Sequence, residues 1–199
     1  MAKLYFRYGA VSSAKTLNLL AVSHQYRQQG KAVVVIKPSI DTRFNIKTVR
    51  SRAGLETEAD IIIHPECNIF DKLKTHKNIF CVLVDESQFF TKEHINQLRD
   101  IVDIRDIPVI CYGLRTDFKT HLFPAVVRLF EICDVIEEVK STCSFCNKKS
   151  TMNLKSVDGV FVTQGPSIEM GCEEKYLPAC YPCFREKTRT GVSETKDSR

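Results

Sequence analysis

The sequence predicts an α/β fold, with a parallel β-sheet domain followed by a small β-rich domain. Continuous runs of β-branched and other apolar residues, such as "KAVVVIKP", "IFCVLVDE" and "IPVICYG", are typical of parallel strands that are covered on both faces. Most of these runs are separated by stretches that can form helices. This alternating pattern favours a parallel sheet for the larger part of the chain.

The first elements along the chain are a strand in "KLYFRYGA" and a helix in "KTLNLLAVSHQYRQQG", which Gly30 is placed to end. The strand-like run "DIIIHP" comes after a polar, basic stretch, residues 39–59, which is predicted to be a mobile loop rather than a regular element. Long loops in compact domains are usually functional or disordered.

The character of the sequence changes after Lys140. The following segments are short and carry turn residues in "VDG" and "QGPS", as expected of a small β-rich domain. Residues 185–199 contain almost no apolar residue and are predicted to be a disordered tail. We therefore predict one domain over residues 1–140 and a second over residues 141–184.

Composition excludes several classes of protein. A chain of 199 residues suffices for one core of ordinary size and a small appendage. The net charge of +5 is mild, and no basic block with interleaved aromatic residues occurs, so nucleic-acid binding is not expected. No apolar run approaches the ~20 residues of a membrane helix, and the start of the chain does not resemble a signal peptide. These features predict a cytoplasmic protein without a membrane partner.

Residues 9–16, "GAVSSAKT", have the length and the ends of a phosphate-binding loop. The loop stands between a predicted strand and a predicted helix, as such a site requires. Lys15 would neutralise phosphate charge, and the Thr16 hydroxyl would reach Mg²⁺. Ala14 replaces the second glycine of the pattern. The alternative interpretation is therefore an ordinary strand-turn-helix junction in which Lys-Thr occurs by chance.

The stretch "CVLVDESQFF" places two carboxylates after an apolar strand. Asp85 is expected at the carboxyl edge of the sheet, beside the phosphate loop, where it can hold Mg²⁺ through water. Glu86 is then a candidate general base. The alternative is a solvated turn or a helix cap.

Four of the nine cysteines form two C-x-x-C pairs, Cys143 with Cys146 and Cys180 with Cys183. Two such pairs supply the four thiolates of a structural zinc site, with no ligand position left open. A redox-active pair is the alternative. The other cysteines mostly lie in apolar surroundings and are expected to act as small hydrophobic residues: Cys67, Cys81, Cys111, Cys133 and Cys172.

Up to about Phe184 the chain resembles the type II thymidine kinases, the zinc-containing deoxynucleoside kinases. The resemblance rests on the ordered motifs "GAVSSAKT", "IDTRF", "SRAGLE", "LVDESQFF", "YGLRTDF", the first C-x-x-C pair and "IEMGCEEKYLPACYPC". It implies transfer of the ATP γ-phosphate to the 5′-hydroxyl of thymidine or deoxyuridine, a reaction of pyrimidine salvage. It also implies a P-loop, RecA-like α/β domain, a zinc-binding lasso domain, ATP, Mg²⁺ and Zn²⁺ as cofactors, and a homotetramer.

The resemblance assigns roles to individual residues. Glu86 becomes the catalytic base, Asp85 lies near Mg²⁺, and Asp41 and Arg43 lie near the phosphates and the sugar. For the aromatic residues that are assigned to the nucleoside pocket below, plain packing in the core is the alternative. ATP is held by Gly9, Ala10, Val11, Ser12, Ser13, Ala14, Lys15, Thr16, Asp85, Ser87 and Gln88, whereas the nucleoside is held by Asp41, Arg43, Phe89, Leu114, Phe118, Phe123, Met170, Gly171, Cys172 and Tyr176, with Val11 also at the wall of the base pocket.

The chain departs from the family pattern at Val11, Ala14, Cys172 and Tyr181, where the family has mostly Met, Gly, Gly and Arg. Ala14 matters most, because its Cβ is expected to weaken ATP binding by crowding a phosphate or straining the loop. An alternative function is therefore a catalytically impaired nucleotide-binding relative. A zinc-ribbon nucleic-acid-binding protein with an ATPase domain is a third, which the missing basic and aromatic face disfavours.

Overall fold

The computed structural model describes residues 1–167 and 175–190. Its largest element is a six-stranded sheet, in which every pair of neighbouring strands is parallel. The chain forms, in order, β1 (Leu4–Tyr8), α1 (Lys15–Gln28), β2 (Ala32–Pro38), β3 (Thr48–Arg50), β4 (Glu56–Glu58), β5 (Ile61–Ile63), α2 (Ile69–Leu73), β6 (Ile79–Val84), a 3₁₀ turn (Ser87–Phe89), α3 (Lys92–Arg105), β7 (Val109–Gly113), α4 (Pro124–Ile132), β8 (Val135–Glu138), β9 (Met152–Val157), β10 (Val160–Val162), β11 (Lys175–Ala179) and α5 (Tyr181–Thr190).

The strands of this sheet lie in the order β5-β2-β6-β7-β1-β8. Successive side chains of a strand point to opposite faces, so a run such as Val33, Val34, Val35 and Ile36 is apolar on both sides. Val34 and Ile36 pack with α2, α3 and α4, whereas Val33 and Val35 pack with α1. The parallel sheet that the sequence predicts, covered on both faces, is therefore confirmed.

A second sheet of three antiparallel strands has the order β10-β9-β11. It shares a small core with α5, in which Leu154 and Phe184 pack beside the cysteine pairs. This confirms the prediction of a small β-rich unit after the parallel sheet. The domain boundary at residue 140 stays a prediction.

Two sequence predictions need correction. Residues 39–59 do not form a loop throughout, because β3 and β4 pair as an antiparallel hairpin. Val49 and Ala59 anchor it in the core beneath α1. The predicted disordered tail is wrong for residues 185–190, because α5 continues to Thr190. A surface helix needs only one apolar face, and Phe184 supplies the anchor. Residues 191–199 lie outside the described part of the chain.

The cysteines outside the two pairs behave as predicted where they are described. Cys81 and Cys111 are buried in the two cores of the parallel sheet, and burial raises the pKa of Cys81 to about 12. Cys67 and Cys133 pack partly buried against the same apolar residues. Cys172 lies outside the described residues. No helix within residues 1–167 and 175–190 has the length and apolarity that crossing a bilayer requires.

Candidate active site

The predicted phosphate loop connects β1 with α1 at the carboxyl edge of the parallel sheet. Two of its residues, Ser12 and Ala14, have left-handed backbones, with φ angles of 61° and 62°. Such turns direct successive backbone N–H groups toward one point in front of the helix, which makes an anion site. Gly9 is required at the start of the loop, because a Cβ there would lie 2.4 Å from Val139 O.

Lys15, the first residue of α1, folds its side chain back over this loop. Its Nζ donates hydrogen bonds to Ala10 O at 2.7 Å and to Ser13 Oγ at 3.1 Å. Burial lowers the pKa of Lys15 to about 8, and the nearby carboxylates of Glu86 and Asp85 offset only part of this effect. An ammonium group that has lost its water in this way is suited to binding phosphate oxygens.

Ala14 is the residue at which the loop departs from the phosphate-loop pattern. Its backbone conformation shows which free-energy cost the alanine imposes. A non-glycine residue in the left-handed region costs about 1–2 kcal/mol. Ala14 has a φ of 62°. We therefore expect the strain to be a cost of folding, because the turn belongs to the backbone of the loop itself.

We therefore expect Ala14→Gly to stabilise the fold by up to ~1 kcal/mol, because relief of the strain exceeds the extra backbone entropy of glycine in the unfolded chain. The ATP dissociation constant should change by less than about threefold, since Ala14 has the left-handed backbone that glycine would adopt at this position. Thermal unfolding and ATP titration measure the two quantities. Ala10→Gly is the control, because Ala10 is not among the residues with positive φ. A tenfold gain in ATP affinity would show instead that the methyl group crowds a phosphate.

Asp85 follows β6 directly and faces the start of α1. The Thr16 hydroxyl lies 3.3 Å from both carboxylate oxygens of Asp85. Burial, reinforced by the charge of Glu86, raises the pKa of Asp85 to about 7. A buried carboxylate beside a hydroxyl is a donor set that a hard divalent cation prefers, and a bound cation would favour the ionised form. Thr16 and Asp85 therefore fit a magnesium site.

Glu86 has a left-handed backbone with a φ of 48°, and its carboxylate is held by two partners. Gln88 Nε2 donates to Glu86 Oε2 at 2.6 Å, and the Arg43 guanidinium bonds the other oxygen. Burial alone would raise the pKa of Glu86, but the charge of Arg43 and the Gln88 hydrogen bond hold it below its usual range. Gln88 is fixed in turn, because its Oε1 accepts from Leu114 N at 2.9 Å. The result is an ionised, oriented carboxylate.

Sequence reasoning missed Lys37, which lies near the end of β2. Its side chain is 1% exposed, and its Nζ lies 3.1 Å from Asp41 Oδ2 and 2.9 Å from Thr48 O. Asp41 Oδ1 in turn accepts from Arg43 Nε at 2.7 Å. Lys37 thus supports the Asp41 carboxylate that orients Arg43 toward Glu86. The available signal was a lysine inside a continuous apolar run, which a sheet covered on both faces must bury.

Lys15, Arg43 and Glu86 border one open cleft with a volume of about 500 Å³. The phosphate loop forms one wall, and residues of the β3–β4 hairpin and the loop before it form another. The hairpin residues were absent from the sequence-predicted site. The lining consists of Val11, Ser12, Ser13, Ala14, Lys15, Thr16, Leu17, Arg43, Phe44, Arg50, Ser51, Arg52, Ala53, Glu86 and Leu114.

The predicted nucleoside-binding residues are brought together only in part. Leu114 lines the cleft, whereas Phe118 and Phe123 are buried, with 1% and 6% of their surface exposed. Phe89 packs edge to face against Phe123, with ring centroids 5.9 Å apart. Contact of these rings with a base stays a prediction. Tyr176 lies on β11, and the predicted residues Met170, Gly171 and Cys172 fall outside the described part of the chain.

Ser87 and Gln88, predicted to bind ATP, lie behind Glu86 in the 3₁₀ turn, where each is at most 2% exposed. The turn fits closely against β7, since a Cβ at Gly113 would lie 2.5 Å from Ser87 Oγ. Gln88 supports the Glu86 carboxylate, whereas the Ser87 hydroxyl is buried, and neither side chain borders the cleft. Their contact with ATP stays a prediction.

Asn153 of β9 joins the small sheet to two loops of the parallel-sheet domain. Its Oδ1 accepts a hydrogen bond from Val11 N at 2.8 Å, and its Nδ2 donates to Thr116 O at 2.8 Å. The side chain is 3% exposed. One buried side-chain amide therefore provides the hydrogen-bond partner for a backbone N–H of the phosphate loop and for a backbone carbonyl of the loop after β7. Nothing in the sequence distinguishes this asparagine from a surface residue.

The two cysteine pairs converge at the small sheet. The four Sγ atoms of Cys143, Cys146, Cys180 and Cys183 all lie within 4.8 Å of one another. Cys146 Sγ lies 3.6 Å from Cys180 Sγ and 3.8 Å from Cys183 Sγ. Tetrahedral zinc with Zn–S bonds of about 2.3 Å places its sulfurs about 3.8 Å apart. The arrangement of four thiols fits a metal centre.

Comparison with known proteins gives a consistent picture. The family model described as thymidine kinase matches residues 2–184. The chain is 44% identical over 182 residues to a thymidine kinase of Enterococcus faecalis, covering 90% of this chain and 93% of that protein. It is 43% identical over 181 residues to one of Lactiplantibacillus plantarum, covering 90% and 94%. It is 40% identical over 181 residues to one of Lactococcus lactis, covering 90% and 95%.

Proposed function

The chain belongs to the thymidine kinase family, and on that premise we propose that it transfers the γ-phosphate of ATP to the 5′-hydroxyl of thymidine or deoxyuridine. The observation that carries this proposal is the ionised Glu86 carboxylate, held by Arg43 and Gln88 at the cleft that the phosphate loop borders. A kinase of this type needs an ionised base close to the bound phosphates and oriented toward the acceptor hydroxyl.

In the reaction, the 5′-oxygen of the nucleoside forms a bond to the γ-phosphorus, and the bond between that phosphorus and the β-γ bridging oxygen breaks. Glu86 accepts the proton of the 5′-hydroxyl, and ADP leaves with the bridging oxygen. Lys15 and the backbone N–H groups of the loop hold the phosphates while Arg43 keeps Glu86 in place. Phosphoryl transfer needs positioning and charge neutralisation more than covalent help, and these residues supply both.

Thr16 and Asp85 would hold the magnesium ion of Mg-ATP. When bound, the ion would neutralise part of the negative charge of the triphosphate. The protein contributes the hydroxyl and the carboxylate, 3.3 Å apart, at the end of the phosphate loop.

We propose that Cys143, Cys146, Cys180 and Cys183 bind zinc in a structural role. Four thiolates fill the tetrahedral shell and leave no position for a substrate or water. The site lies beneath β11, which carries Tyr176. Zinc would thereby fix the base of the segment from which the nucleoside-binding residues Met170, Gly171 and Cys172 are proposed to reach the pyrimidine.

The resemblance to the zinc-containing family also supports a homotetramer located in the cytoplasm. The alternative of a catalytically impaired relative has no support, because Lys15 and Glu86 border the cleft, Asp85 lies beside Thr16, and Ala14 is accommodated within the loop. The sequence disfavours the nucleic-acid-binding alternative, because it has no basic block with interleaved aromatic residues.

A coupled kinase assay with ATP, Mg²⁺ and one nucleoside at a time tests the proposed function. Thymidine and deoxyuridine should be phosphorylated and deoxyguanosine should not. A pocket that fits a pyrimidine is too small for a purine, and a base with a different hydrogen-bonding edge would leave buried polar groups of the pocket unpaired. The rate with deoxycytidine measures how strongly the enzyme discriminates between pyrimidines that differ in their hydrogen-bonding groups. Comparable phosphorylation of deoxyguanosine would contradict the assignment.

A further inference from the structure

The turn of the β3–β4 hairpin, residues 51–54, forms part of the cleft wall together with the phosphate loop. Ser51 N donates to Leu55 O at 2.8 Å, Ser51 Oγ to the same oxygen at 3.1 Å, and Gly54 N to Ser51 O at 3.0 Å. Ser51 is 4% exposed, and the neighbouring Val49 is buried in the core. The turn is therefore anchored, although Arg52 at its tip is exposed to solvent.

Arg52 differs from the other cations of the cleft in its partners. Arg43 is bound to Asp41 and Glu86, and Arg50 lies 3.6 Å from Glu56. Within residues 1–167 and 175–190, no hydrogen bond or ion pair engages Arg52. A side chain without an existing partner can bind an anion without first breaking an ion pair.

Arg52 and Lys15 border the same cleft, Arg52 on the hairpin and Lys15 at the end of the phosphate loop. Two cations that repel each other across a cleft are both stabilised when a polyanion enters between them. In a phosphate loop the lysine reaches the β- and γ-phosphates, so the shared anion is the terminal part of the triphosphate.

We propose that Arg52 binds the γ-phosphate of ATP from the hairpin side and stabilises the negative charge of that group during transfer. This proposal rests on the proposed function and adds a residue to it. A guanidinium can bind two phosphate oxygens at once in a fixed plane, which a lysine ammonium does not reproduce. The hairpin then acts as a second phosphate-binding element, on the opposite side of the triphosphate from Lys15.

The test compares Arg52→Ala and Arg52→Lys with Arg128→Ala, a control that removes an arginine from the surface of α4, where Arg128 pairs with Glu131 away from the cleft. For Arg52→Ala we expect kcat to fall about 100-fold, the scale of one lost contact to transition-state charge. Its ATP dissociation constant should rise about tenfold, because one charge-assisted contact is lost. The constants for ADP and thymidine should stay within about twofold, since neither ligand carries a γ-phosphate. Arg52→Lys should restore part of the ATP affinity and little of kcat, and Arg128→Ala should change kcat by less than about threefold.

Equal weakening of ATP and ADP by Arg52→Ala would overturn the proposal, as would a kcat within threefold of the parent. A parent protein that phosphorylates no pyrimidine nucleoside would overturn the proposed function instead. The comparison of ATP with ADP needs no acceptor nucleoside, so it tests Arg52 in either case. Thermal unfolding of each variant separates a lost contact from a lost fold, because a structural role would lower the affinity for ADP and ATP together.

Discussion

Glu86→Gln is expected to lower kcat for thymidine by about 10²–10⁴-fold, the usual contribution of general-base catalysis. The amide keeps the shape of the carboxylate and can still accept a hydrogen bond from Gln88, but it cannot take the proton of the 5′-hydroxyl. Thymidine affinity should stay close to that of the parent. Steady-state kinetics and thymidine titration measure the two effects.

The matched control is Glu131→Gln, which makes the same chemical change on the exposed surface of α4, where Glu131 pairs with Arg128. It should leave kcat unchanged. Turnover of Glu86→Gln within threefold of the parent would assign the proton acceptor to another group, and Asp85 would then be the first candidate because it is the neighbouring carboxylate.

Removal of the metal should have the largest effect on stability. The core of the small sheet contains few apolar side chains, and four of its members are the cysteines themselves. Structural zinc contributes about 10–16 kcal/mol in zinc-finger peptides, which is more than a core of this size supplies. We expect one zinc per chain, and we expect Cys183→Ser to lose the metal, unfold the small domain and abolish thymidine binding.

Metal analysis, circular dichroism during heating and thymidine titration measure these outcomes. Cys133→Ser is the control, since Cys133 is a partly buried cysteine of the other domain that contacts no member of the cluster. A zinc content near zero in the parent, or a Cys183→Ser protein that keeps both metal and thymidine affinity, would contradict the structural role.

The features that could be predicted from the sequence are those that local pattern determines. Strands of the parallel sheet appear as uninterrupted apolar runs because both faces are buried, and Lys15, Asp85 and Glu86 follow from strand ends that meet at one edge. The cysteine pairs follow from spacing alone. In each case the information lies within about ten residues of the chain.

The missed features depend on contacts between distant segments. The β3–β4 hairpin forms from a polar, basic stretch because Val49 and Ala59 anchor it beneath α1, and two widely separated apolar residues give no periodic signal. Lys37 was hidden because its partners, Asp41 and Thr48, lie in a stretch predicted to be a loop. The continuation of α5 past Phe184 depends on the packing of this helix against the small sheet. Such packing cannot be predicted from the amino-acid composition of residues 185–190.

Asn153 has a consequence for the exchange of domains between proteins. A chimera that took residues 141–184 from another protein would inherit four cysteines and could bind zinc. It would nevertheless leave the amide of Val11 and the carbonyl of Thr116 without their buried partner unless an asparagine stood at the position of Asn153. An unpaired buried group of this kind costs about 1–3 kcal/mol. Compatibility between the two parts of the molecule is therefore decided by a residue that is not a metal ligand and does not border the cleft.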